Sequence, residues 1–145
     1  MKTQKINHVA VWVLVAIIQV IPMLWYDQLF FGIRWMELNN FTIDDFDDFG
    51  TFGYVIAILN AAAFCYFMAW LFIRLKVETA IEGLKIAFLL WFCLVFMQVT
   101  TQNFFTLRPF ELTLIDELLV LIEYEMVGVV LALLRKYESV EAKWN

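Results

Sequence analysis

Four long apolar runs, separated by short polar connections, dominate this chain of 145 residues. A helix needs about 20 mostly apolar residues to cross the hydrocarbon core of a bilayer. The four runs have that length and cover about residues 8–26, 52–73, 81–105 and 112–134. Since 63% of the residues are hydrophobic, a soluble fold of this size has too little interior to hide them. The sequence therefore predicts an all-α, polytopic membrane protein, with residues 1–145 forming one domain built as a four-transmembrane-helix bundle.

The distribution of Lys and Arg predicts how this bundle is oriented. Short connections on the cytoplasmic side of a membrane carry an excess of these residues. Here they concentrate in the N-terminal lead, the connection between the second and third runs, and the tail over 135–145, whereas the other two connections hold only Arg34 and Arg108. Both termini are therefore expected in the cytoplasm, and the loop over 27–51, first amphipathic and then acidic, is expected outside. Its acidic part, 42–50, suggests one or two turns of helix.

The fourth run combines the length of a membrane span with four carboxylates, which are Asp116, Glu117, Glu123 and Glu125. A carboxylate near the centre of a span costs about 2.5–3.5 kcal/mol on insertion scales, so something must offset that cost. At 3.6 residues per turn, Asp116 and Glu123 share one face of the helix, while Glu117 lies on another face with Glu125 on its flank. Two carboxylate faces predict that this helix has protein on more than one side or borders a wet cavity.

The lack of basic residues at the same depth distinguishes the two deeper carboxylates, Glu123 and Glu125. No Lys or Arg lies in the middle of any predicted span, so either these two side chains are protonated or a partner subunit supplies the opposite charge. Asp116 and Glu117 are near enough to the outer end of the span to reach the interface. Four neutral polar residues are expected either to form a hydrogen-bonded cluster with Glu117 or Glu123 or to act as ordinary interhelical contacts; they are Gln19, Asn60, Gln98 and Gln102.

Several classes of function find no support in the sequence. The net charge of −5 argues against binding of nucleic acid, because no basic patch is present to neutralise phosphates. The chain has one histidine, and its two cysteines, Cys65 and Cys93, match no metal or disulfide spacing. It has no phosphate-binding loop, nucleophile elbow or zinc signature. We therefore expect no cofactor, no metal and no enzymatic activity. An enzyme that acts on lipid at the outer interface, through the acidic loop and Arg108, is the last-ranked alternative.

Three blocks of residues give the sequence a resemblance to a known family, domain-of-unknown-function family 1761. The blocks are Trp25, Tyr26, Leu29, Phe30, Phe31, Gly32, Trp35 and Met36; then Asn103, Arg108, Pro109, Leu112, Ile115 and Asp116; and finally Val127 and Gly128. The resemblance covers about residues 6–134. It implies a small bacterial protein of four membrane helices, located in the cytoplasmic (inner) membrane. The family has no assigned biochemical activity, so the resemblance implies fold and location alone.

Two hypotheses of function follow from the polar residues of the spans. In the first, the chain is an accessory or structural subunit that forms a homo-oligomer or joins a larger membrane-protein complex. The fourth span would be its contact element, through Glu123 and Glu125. In the second, the chain is a small transporter or proton-handling protein. Glu123 or Glu125 would then bind the proton, and the four neutral polar residues named above would line a wet path.

Overall fold

Five helices account for most of the computed structural model, which describes residues 2–42 and 50–139 of the chain. The helices are α1 (His8–Trp25), α2 (Gly32–Asn39), α3 (Gly50–Leu75), α4 (Ala80–Phe105) and α5 (Phe110–Leu133). Two strands, β1 (Lys2–Lys5) and β2 (Lys136–Ser139), pair in an antiparallel sheet. The prediction of a helical body is confirmed, whereas this small sheet between the two ends of the chain was not expected.

Three of these helices, α1, α3 and α4, are long and apolar enough to cross a membrane. They agree with the first three predicted spans to within about two residues at each end. The fourth predicted span corresponds to α5, a helix of 24 residues. The predicted turns of acidic helix over 42–50 fall almost entirely outside the described residues. The chain is thus helical over all four predicted spans, and three of them have the length and composition of a membrane crossing.

Polar side chains fix the points at which α1 and α4 begin. The side chain of Asn7 accepts a hydrogen bond from the backbone N–H of Ala10 at 3.3 Å. Before α4, the Thr79 hydroxyl accepts from the backbone N–H of Glu82 (3.1 Å), and the Glu82 carboxylate accepts from that of Thr79 (3.2 Å). These caps satisfy backbone donors that have no partner within their own helix.

Helix α5 lies at the centre of the packing and contacts every other helix. Its closest approach is to α4, because a Cβ placed on Gly83 would lie only 2.4 Å from the carbonyl oxygen of Gly128. The two backbones can come this near only because neither residue carries a side chain. Helix α5 also packs against α1 and α3, for example where the rings of Phe64 and Tyr124 lie 4.3 Å apart. These contacts give α5 protein on more than one side, which is one of the two alternatives predicted from its carboxylate faces.

The middle of α4 departs from regular α-helix. Residues Trp91–Phe96 form a π-helical segment between the α-helical parts Ala80–Leu90 and Met97–Phe105. Such segments are rare and occur often at functional sites, since the extra residue in the turn redirects side chains. Here the segment begins with Trp91, which is buried against the rest of the bundle.

The three apolar helices expose most of their side chains. Only 28% of the most apolar stretch of α1 is buried within the chain, and the values for α3 and α4 are 28% and 17%. Soluble proteins rarely expose apolar surface that is so continuous. The exposed apolar surface therefore agrees with helices that face the hydrocarbon of a bilayer.

Candidate functional site

Hydrogen bonds near both ends hold α5 against α1. The indole N–H of Trp25 donates to the carbonyl oxygen of Ile115 at 3.0 Å, and the side-chain amide of Asn7 donates to that of Leu134 at 2.9 Å. About 28 Å of helix separates Ile115 from Leu134 at 1.5 Å per residue. Glu123 and Glu125 lie near the middle of this stretch, whereas Asp116 and Glu117 lie close to its Trp25 end.

Asp116 is held by two aromatic side chains, one directly after α1 and one in α2. The Tyr26 hydroxyl donates to Oδ1 of Asp116 at 2.7 Å, and the Trp35 indole N–H donates to the same oxygen at 2.8 Å. Trp25, beside Tyr26, donates to the carbonyl of the preceding residue of α5. Three aromatic residues of the sequence motif therefore fasten the loop and α2 to the start of α5. Asp116 is structurally satisfied by these contacts.

An ion pair next to this cluster was not anticipated from the sequence. Nε and Nη2 of Arg34 donate to the two carboxylate oxygens of Glu111 at 2.7 and 2.6 Å, and Nη1 donates to Glu37 at 3.0 Å. Hydrogen bonding to Arg34 holds the pKa of Glu111 below its usual range, and the two carboxylates raise the pKa of Arg34. Because all three side chains are exposed, this pair contributes mainly to the position of α2 on α5.

Glu117 is the most deeply buried of the four carboxylates, with 4% of its surface exposed. The indole of Trp91, at the start of the π-helical segment, lies beside its carboxyl group. Within the described part of the chain, however, neither Nε1 of Trp91 nor Oε2 of Glu117 has a hydrogen-bond partner of good geometry. A buried polar atom without a partner costs about 1–3 kcal/mol. The pair therefore lowers the stability of the α4–α5 contact.

Glu123 and Glu125 are both partly buried near the middle of α5. Glu123 faces the interior, within electrostatic range of the Cys65 thiol and the Tyr26 hydroxyl. Oε2 of Glu125 is enclosed, yet it has no hydrogen-bond partner among residues 2–42 and 50–139. The ion pairs of the described residues lie elsewhere, at Arg34 and between Lys5 and Glu138. Neither glutamate has a basic partner there.

A second polar pair lies at the opposite end of α1. Nδ1 of His8 and the hydroxyl of Tyr66 are 3.0 Å apart. Cys65, the neighbour of Tyr66 on α3, is close enough to Glu123 to interact with it electrostatically. Titratable side chains therefore occur at both ends and at the middle of the contact between α1, α3 and α5. Sequence reasoning did not connect His8 with Tyr66 because 58 positions separate them and no motif marks the pair.

The four neutral polar residues of the spans lie in separate places. Gln19 donates a long hydrogen bond of 3.5 Å to the carbonyl oxygen of Ala57, and Asn60 is exposed on α3. Gln98 and Gln102 instead line an open concavity on α4. Gln19 thus contacts α3, whereas the other three face away from the packed interior.

The remaining motif residues shape the two outer turns. Gly32, at the start of α2, is buried, and a Cβ there would lie 2.1 Å from the carbonyl oxygen of Tyr26, so no other residue fits without moving the chain. Pro109 directly precedes α5, where its missing N–H leaves no unsatisfied donor. Arg108 is exposed, and its backbone N–H donates to the carbonyl of Asn103 at 2.9 Å.

The chemistry of this region is that of carboxyl, hydroxyl and indole groups. Within the described ranges, no three His, Cys, Asp or Glu side chains are grouped so as to hold a metal ion. The arrangement can bind and release protons, and it can pair with basic or hydrogen-bonding side chains of another chain.

Comparison with known proteins identifies a family without identifying an activity. The family described as "Protein of unknown function (DUF1761)" matches residues 9–132. That range includes α2 to α4 and nearly all of α1 and α5. No curated protein and no solved structure matches the chain.

Proposed function

The chain belongs to the family described as "Protein of unknown function (DUF1761)", and we propose that it is a four-span membrane subunit that assembles with itself or with another membrane protein through α5. Helix α5 supports the fourth crossing because it packs along the three apolar helices. Pairing of β1 with β2 brings the two ends of the chain together, as an even number of spans requires. The excess of Lys and Arg at this end favours the cytoplasmic side of a bacterial inner membrane.

Glu125 is the observation that carries the assembly proposal. Leu114, Leu118 and Ile122 form an exposed stripe along α5, with between 39% and 44% of each residue exposed. Glu125 continues this stripe one helical turn further along. Glu125 itself is partly buried, with Oε2 enclosed by the chain. It therefore lies at the edge of the open face of α5, halfway between the two ends of the bundle.

An unpaired carboxylate at this depth is costly in lipid. Insertion scales assign a charged side chain at the centre of a helix about 2.5–3.5 kcal/mol. A neighbouring helix that brings Lys, Arg or several hydrogen-bond donors offsets this cost, and its apolar side chains cover the leucine and isoleucine stripe. The open face of α5 thus has the chemistry of a helix–helix interface.

The mass of the complex extracted with a mild detergent tests this proposal. We expect the wild-type complex to exceed the 17.1 kDa of one chain, and we expect Glu125→Gln to shift it toward that mass because the variant removes the charge. Glu78→Gln is the matched control, since Glu78 is exposed and lies outside the helices. A wild-type protein of one-chain mass, or a Glu125→Gln complex of unchanged mass, contradicts the proposal.

A second candidate function, proton handling, is favoured by the row of titratable groups between α1, α3 and α5. Tyr26 with Asp116 lies at one end, Glu123 at the middle and His8 with Tyr66 at the other end. A carboxyl group inside a membrane bundle that has no basic partner can exchange a proton with groups on either side. Glu123 is the central group of this row.

Liposomes that contain the purified protein and a pH-sensitive dye separate the two functions. Proton handling predicts flux above that of empty vesicles under an imposed gradient, and loss of that flux in Glu123→Gln but not in Glu78→Gln. The assembly proposal predicts instead that the mass of the complex depends on Glu125 at the open face. Absence of flux in the wild-type vesicles excludes the second candidate and leaves the first untouched.

A further inference from the structure

The last third of α4 carries a row of polar side chains on the surface of the bundle. Gln98, Thr101 and Gln102, together with Cys93 and Met97, line an open concavity of about 500 Å³. All five side chains are exposed. The Thr101 hydroxyl donates to the carbonyl oxygen of Met97 at 2.8 Å within the helix. The two glutamine amides, by contrast, make no hydrogen bond to another described residue, so they are free to bind something outside the chain.

The exposure of these polar side chains needs an explanation because the row lies within the predicted membrane span. Counted from Lys85, the last charged residue of α4, Gln98 and Gln102 lie about 20 and 26 Å along the helix, inside a hydrocarbon core that is about 30 Å thick. The same helix exposes Leu94 and Met97 nearby, as lipid contact requires. An amide that faces hydrocarbon has no water with which to form hydrogen bonds. A protein surface that supplies donors and acceptors removes this penalty.

We propose that this row is the contact surface between two copies of the chain, related by a twofold axis along the membrane normal. Such an axis places equivalent residues at the same depth and opposite one another. A glutamine amide is both a donor and an acceptor, so the row formed by Gln98 and Gln102 is complementary to itself. Among the described residues, no charged side chain lines the concavity, and the surface therefore needs no basic partner, unlike the face that carries Glu125. It lies on α4 rather than α5 and goes beyond the assembly proposed above.

The native cysteines supply the experiment. Cys93 lines the concavity, whereas Cys65 is fully buried in the core. In native membranes treated with a short bis-maleimide, the wild-type chain is expected to form a cross-linked dimer of this chain alone. Cys93→Ser is expected to abolish the product, since Cys65 remains inaccessible. This comparison leaves the core unchanged and does not depend on a variant that disturbs folding.

A second variant shows whether the amides hold the contact. Gln98→Leu combined with Gln102→Leu makes the surface more apolar and is compatible with insertion, and we expect it to lower the yield of cross-linked dimer at least fivefold. Gln28→Leu, at an exposed position of the outer loop, is the matched control and is expected to leave the yield unchanged. The proposal is overturned if no dimer forms, if Cys93 cross-links to a different protein, or if the double variant cross-links as well as the wild type. These outcomes are independent of the mass measured for Glu125→Gln.

Discussion

The close approach of α4 and α5 at Gly83 and Gly128 leads to the prediction with the clearest magnitude. A Cβ on Gly83 would lie 2.4 Å from the Gly128 carbonyl oxygen and 2.9 Å from Cβ of Ala132. A Cβ on Gly128 would lie 2.7 Å from both Cβ of Ala87 and the Gly83 carbonyl oxygen. Ordinary contact begins at about 3.4 Å, so either alanine variant must push the two helices apart by up to about 1 Å.

The size of the effect follows from two opposing contributions. Alanine in place of glycine within a helix gains up to about 1 kcal/mol from helix propensity. Overpacking costs about 1–3 kcal/mol, and here the upper half of that range applies because backbone atoms cannot move away by changing a rotamer. We therefore expect Gly83→Ala and Gly128→Ala each to lower the free energy of unfolding by about 1–2 kcal/mol.

Unfolding in detergent micelles, followed by circular dichroism over a denaturant series, measures this change. Ala63→Val is the control, because it adds more volume at an exposed position of α3 and is expected to leave stability nearly unchanged. If both glycine variants unfold at the same denaturant concentration as Ala63→Val, the tight α4–α5 contact is refuted.

Three further predictions concern the ends of α5. Asn7→Ala is expected to lower the free energy of unfolding by about 0.5–2 kcal/mol, because it removes both the α1 cap and the hydrogen bond to Leu134. Asn7→Asp keeps the cap and loses only that hydrogen bond. Equal losses of stability in the two variants would contradict the separate contributions of cap and bond. Tyr26→Phe is expected to cost about 1.5–3 kcal/mol while Asp116 is present and much less in an Asp116→Asn background, so a double-mutant cycle without coupling would count against the bond. Glu111 has a lowered pKa, so its ion pair stabilises the folded state above the ordinary value of 4.5 and is lost as the pH falls through the lowered pKa. The difference in thermal midpoint between wild type and Glu111→Gln should therefore shrink below pH 4.5. It should also shrink in high salt at pH 7, because the ion pair is exposed. A difference in thermal midpoint that stays constant with pH would refute this prediction.

The helical content and the limits of the helices were predictable because they depend on local sequence. The length of each apolar run set the length of its helix. Helix α2, by contrast, lies inside the predicted outer loop and was not predicted. The pairing of β1 with β2 was not predictable in this way, since it joins residues more than 130 positions apart. The sequence Lys2–Lys5 contains no alternation of apolar and polar residues that indicates a strand.

The candidate site was predictable in its residue types and not in its arrangement. Four carboxylates in one apolar run are visible without a structure, and so is the absence of basic residues at their depth. Which of them has a partner depends on long-range contacts: Tyr26 and Trp35 satisfy Asp116, whereas Oε2 of Glu125 has no partner among the described residues.

The sequence by itself determined that this chain is helical and has helices long and apolar enough to cross a membrane, because the hydrophobicity of about 20 consecutive residues is a local property. Only the tertiary structure decided which faces of the helices are covered. It buried Glu117 almost completely and left Glu125 only partly buried, although each has an enclosed carboxylate oxygen without a partner among the described residues. It also left Gln98 and Gln102 on the open surface of α4. Helical periodicity fixes which residues share a face, but the neighbouring helices alone determine whether that face meets protein or lipid.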